Sequence, residues 1–88
     1  MNNNEIMMKM AKKYVTDYYN KHIRGINQNS IESDDVLIVW FCKTLQNWKA
    51  LVSTTVSDGR YYEITHNGDK KETYFDVYKK IENIVISD

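Results

Sequence analysis

The sequence predicts an α+β domain in which one N-terminal helix packs on an antiparallel β-meander of three to four strands, followed by a short C-terminal helix or edge strand. Three observations carry this expectation. Apolar residues near the N-terminus recur at three-to-four spacing, β-branched and aromatic runs follow, and turn formers separate those runs at Gln46-Asn47, Ser57-Asp58-Gly59 and Asn67-Gly68.

The helix is expected over residues 4–23. Met7, Met10, Ala11, Tyr14, Val15, Tyr18 and Tyr19 share one stripe, and Lys9, Lys12, Lys13, Asp17 and Lys21 fall mostly on the other side. Gly25 is the expected stop, in the left-handed conformation common just past a helix end. The polar, turn-rich segment 27–35 reads as the connection out of the helix.

Strands are expected at 36–45 and 48–56. With Gln46 and Asn47 as a two-residue loop and Asn47 at positive φ, Leu45 faces Trp48, Phe41 faces Val52 and Leu37 faces Val56, which gathers the large aliphatics on one face. A three-residue loop with Gly59 left-handed then puts Tyr62, Ile64 and His66 on that face. Asn67-Gly68 is the strongest hairpin signal in the chain. The same register makes 72–78 a fourth strand, with Phe75 and Val77 inward and Tyr74, Asp76 and Tyr78 outward. A competing reading takes Tyr74, Val77, Tyr78, Ile81, Ile84 and Val85 as the stripe of a C-terminal helix, and periodicity leaves 79–86 as helix or edge strand.

With 88 residues there is room for one core, so the chain reads as a single domain over 1–88. Hydrophobic residues at 42% and charged residues at 27% place it among folding chains rather than disordered ones. Twelve basic residues balance twelve acidic ones, so no long-range field draws it to nucleic acid or to an anionic membrane. No apolar run reaches about 18 residues and the N-terminus lacks the order of a secretory signal, which sets the expectation of a cytoplasmic protein with no membrane role. The lone Cys42 sits in an apolar run and reads as a small buried hydrophobe in a reducing compartment.

No catalytic, cofactor-binding or metal-binding set emerges. His22 and His66 have no cysteine or carboxylate beside them at ligand spacing, and Gly25, Gly59 and Gly68 are isolated rather than grouped into a phosphate-cradling loop. Asp34-Asp35 reads as a cap or turn, and Ser53, Thr54 and Thr55 lack a base and fit ordinary strand propensity. The expectation is a protein that binds and does not catalyse, with no small-molecule substrate.

The outward face is the unusual feature. It carries Trp40, Cys42, Leu51, Tyr61, Tyr74 and Tyr78 among Lys49, Ser53, Thr55, Glu63 and Glu72, a mixture of rings with polar tips of the kind enriched at interfaces. Trp40, Leu51, Tyr61, Tyr74 and Tyr78 are therefore the candidate protein-binding residues, for another protein or a second copy in a homodimer, unless the tail around Ile81, Ile84 and Val85 covers them. The alternative is nucleic-acid binding through Lys49, Lys70, Lys71, Lys79 and Lys80 around the same rings. Asp69, Glu72, Asp76 and Glu82 interleave with those lysines and offset much of their attraction for phosphate.

The run Val39-Trp40-Phe41-Cys42-Lys43-Thr44-Leu45-Gln46-Asn47, with Lys49-Ala50-Leu51, Ser53-Thr54-Thr55-Val56, Asp58-Gly59, Asn67-Gly68-Asp69-Lys70, Tyr74, Asp76 and Tyr78-Lys79-Lys80, resembles a family of short phage and prophage proteins from Gram-positive bacteria. The likeness covers most of the chain after its first few residues. It carries no residue roles, because no function is attached to that family. What it implies is a setting: a viral accessory protein inside a bacterial cell, where proteins of this size bind and alter a host protein, including components of host defence.

Overall fold

A computed structural model describes residues 3–26 and 28–87. Helix α1 spans Asn3–Tyr18, and a π-helical turn, Tyr19–Ile23, continues it. A single 3-10 turn at Ser33–Asp35 leads into four strands, β1 Val36–Thr44, β2 Asn47–Thr54, β3 Arg60–Asn67 and β4 Glu72–Lys79. They form one antiparallel sheet in the order β1-β2-β3-β4, with each consecutive pair hydrogen-bonded. This is the α+β meander that the sequence predicts, with the fourth segment a strand rather than a helix.

The core lies between α1 and one sheet face. Ala11, Val15 and Tyr19 from the helical segment meet Val36, Trp48, Ala50, Val52, Tyr62 and Ile64, all at most 3% exposed. Met7, Tyr14, Tyr18, Phe41 and Phe75 pack around the margin. Met10 departs from the expected stripe and is 37% exposed, since the buried line follows Met7, Ala11, Val15 and Tyr19 at four-residue steps. Gly25 is not the stop and has no positive φ. Instead the Arg24 N–H donates to the Tyr19 carbonyl at 2.9 Å, the wide bond of the π turn, and Arg24 leaves with ψ 129°. Asn27, the first residue of the expected connection, lies outside the described residues.

The first hairpin corrects the expected register. Thr44 pairs with Asn47, so the loop is Leu45 and Gln46, and Leu45 takes the positive φ of 55° in place of Asn47. Phe41 accordingly faces Ala50, not Val52. A β-bulge at Val39, between Ile38 and Trp40, then exchanges the faces of the strand's first half. Val36 and Ile38 point to the helix, whereas Leu37 and Val39 are each 51% exposed and Leu45 is 78% exposed. Neither Leu37 nor Leu45 belongs to the inner face.

The second connection spans residues 55–59, longer than expected, and Gly59 is left-handed at φ 72° as its sequence context suggests. Tyr62, Ile64 and His66 do share the inner face, where His66 stacks on Trp48 at 5.7 Å. The third hairpin forms at Asn67-Gly68 but through a four-residue loop, 68–71. Asn67 Oδ1 accepts from the Asp69 and Lys70 N–H groups, and Lys71 holds the positive φ. The two hairpin tips meet, with Gly68 N–H donating to Asn47 Oδ1 at 2.9 Å and the Gln46 amide donating to Asp69 Oδ1.

Residues 80–87 form neither helix nor edge strand. They run on from β4 without turn or bend, with Ile81, Ile84, Val85 and Ile86 between 67% and 97% exposed. Cys42, expected inside, is exposed because its strand position faces away from the helix.

Candidate protein-binding face

The ladder fixes which outward residues are neighbours. At one end Leu37 stands opposite Ser53 and Tyr61 opposite Tyr78, with the β2–β3 pairing stopping at Val52 and Tyr62; the next row reads Trp40, Leu51, Glu63 and Asp76; the third reads Cys42, Lys49, Thr65 and Tyr74. Tyr61 and Tyr78 therefore stand directly opposite one another, and Trp40 stands opposite Leu51. Trp40 and Tyr74 lie on opposite edge strands, about 14 Å apart across three strand spacings and one row further along them, so the rings share a face without forming one stack. The ring pairs among the described residues instead belong to the helix side, such as Tyr18 with Phe75 at 5.0 Å and Phe41 with Trp48 at 5.9 Å.

The Val39 bulge places Trp40 here. By inserting one residue it lets Ile38 and Phe41 both face the helix while Trp40 turns outward, which strict alternation from Val36 would forbid. Trp40 is 43% exposed, Tyr61 38%, Tyr74 47% and Tyr78 50%, and the tail does not fold over them.

Polar groups punctuate the face at its centre. Glu63 accepts from Tyr78 Oη at 3.4 Å and lies 3.7 Å from Lys49 Nζ. The nearby Glu63 charge raises the Tyr78 phenol above its ordinary pKa, and the hydrogen bond to Glu72 does the same for Tyr74. Each phenol is the donor in its hydrogen bond, Tyr74 to Glu72 and Tyr78 to Glu63. A shallow groove of about 240 Å³ runs beside Trp40, Cys42, Lys49 and Thr65.

The lysines of the nucleic-acid alternative do not converge. Lys70 and Lys71 sit in the β3–β4 loop, Lys79 and Lys80 lie at the far end of β4, about 26 Å away at strand rise, and Lys49 is paired with Glu63 between them. Asp35 serves as a cap, its Oδ2 accepting from the Glu32 N–H at 2.9 Å. Among the described residues no three His, Cys, Asp or Glu side chains group as metal ligands, and no helix is long and apolar enough to cross a membrane.

Together these features define a helix-on-meander α+β protein with an uncovered, ring-bearing sheet face. The chain belongs to the family of unknown function DUF6275, whose pattern spans residues 8–88. No match is found among curated proteins or among solved structures.

Proposed function

We propose that this protein acts by binding another protein through the outer face of its sheet, with Trp40, Leu51, Tyr61, Tyr74 and Tyr78 as the anchoring residues. The observation that carries this reading is that four large rings stay 38–50% exposed on a face that neither the helix nor the tail covers. Rings with few rotors and a polar tip give large contact area at small entropic cost, which is why they dominate binding hot spots. The likeness to short phage and prophage proteins supplies the setting, a viral accessory protein in the bacterial cytoplasm whose partner is a host protein, as an anti-defence or host-takeover inhibitor.

Affinity capture from a Gram-positive lysate, with and without nuclease, tests this. The expected result is a protein recovered equally after nuclease treatment and lost with Trp40→Ser. Recovery that depends on nucleic acid and falls steeply with salt would favour phosphate contacts through the lysines instead.

A further inference from the structure

We propose that β4 and the segment after it form one continuous strand that pairs antiparallel with the same strand of a second copy, centred on Ile81. This goes beyond the outer-face reading and centres on the β4 edge, sharing only Tyr78 with the outer face.

The two sheet edges differ. The β1 edge is kinked by the Val39 bulge, a device that blunts edges against further pairing, whereas β4 matches β3 over eight consecutive residue pairs with no interruption. The chain contains no proline that would interrupt the free side of β4. Beyond Lys79 the ladder reaches one step further, with Lys80 N–H still donating to the Gly59 carbonyl at 2.6 Å, and residues 81–87 follow without turn or bend. That segment leaves Ile81, Ile84, Val85 and Ile86 largely exposed to water, an arrangement that strand addition relieves.

Charge selects a second copy as the occupant and sets the register. With Ile81 on the two-fold axis, Lys80 of each copy faces Glu82 of the other, twice per dimer. A two-residue slip in either direction brings Lys80 against Lys80 or Glu82 against Glu82 on the axis, which like-charge repulsion opposes. In the centred register Val77, 39% exposed on the helix side, meets Val85, and Tyr78 on the outer side meets Ile84. Covering these side chains in both copies removes on the order of 1,000 Å² of surface, at the lower bound for a specific interface and so suited to a weak, reversible dimer.

The test is sedimentation equilibrium on the full chain and on charge variants. The expected result is a dimer whose dissociation constant rises about tenfold with Lys80→Glu alone or with Glu82→Lys alone, and returns to within about threefold of the starting value when both changes are combined. Circular dichroism of the proteins diluted to monomer should be alike, since these side chains are exposed. A monomeric parent protein overturns the proposal. So does a dimer indifferent to the single changes, which would place the contact elsewhere, or a double variant that fails to recover.

Discussion

Asn20 and Ile31 are joined as two strand residues would be: Asn20 Nδ2 donates to the Ile31 carbonyl at 2.9 Å, and Asn20 Oδ1 accepts from the Ile31 N–H at 2.8 Å. One side chain thereby satisfies both backbone groups of a residue only 7% exposed, and it ties the connection back to the helix end. Replacing Asn20 with alanine leaves both groups unpaired and is expected to cost about 2–3 kcal/mol. Asn20→Asp is expected to cost a comparable amount, because its carboxylate presents an acceptor to the Ile31 carbonyl. Thermal melts on both variants check this, with about 4–8 °C lost per kcal/mol in a domain of this size.

Tyr62 presents the opposite case. Its ring packs against Tyr18 and Phe75, yet its hydroxyl is buried with no hydrogen-bond partner. Tyr62→Phe is therefore expected to raise stability at neutral pH by about 1 kcal/mol. Burial, with the Asp58 charge adding to it, raises the Tyr62 pKa above the ordinary phenol value of about 10. A group whose folded pKa is raised contributes stability that is present in full below the unfolded pKa and is lost as pH rises through the folded value. Denaturant titrations should show the parent losing stability in that alkaline window, with a smaller loss in Tyr62→Phe; an identical slope in both would contradict the burial of the hydroxyl.

Leu45 holds a left-handed φ of 55° with its side chain 78% exposed, so it gives up backbone energy and gains little by burial. Leu45→Asn is expected to stabilise the fold by about 0.5–1 kcal/mol, readable as a higher denaturation midpoint at unchanged slope.

Gly68 is required for space, not for its φ. A Cβ there would stand 2.7 Å from Gln46 Cβ and closer still to the Gln46 carbonyl oxygen, at the point where the two hairpin tips touch. Gly68→Ala is expected to push the tips apart, break the Gly68–Asn47 hydrogen bond and cost about 1–3 kcal/mol. Loss of amide protection at Gly68 in hydrogen exchange would locate the damage.

The sequence made the architecture legible because the helix stripe Met7, Ala11, Val15 and Tyr19 and the alternation through Tyr62, Ile64 and Phe75 each bury one kind of side chain on one side. It hid the register of β1 for an equally physical reason. Val36, Leu37, Ile38 and Val39 are all apolar, so alternation is silent there, and nothing local marks the bulge that decides which pair goes inside. The outward placement of Trp40, Tyr61, Tyr74 and Tyr78 was legible from parity alone. Their separation into a Tyr61–Tyr78 pair and a Trp40–Leu51 pair one row apart depends on the pairing across strands, which residue order along the chain leaves open.

The outer face as a binding surface is tested most directly by measuring thermal stability and partner capture side by side on Trp40→Ser and Tyr61→Ala. The expected result is a melting temperature within a few degrees of the parent and a loss of affinity of about thirtyfold for each, the size typical of truncating an interface anchor. Unchanged capture together with a large fall in melting temperature would contradict it, because those rings would then be holding the fold together instead of holding a partner.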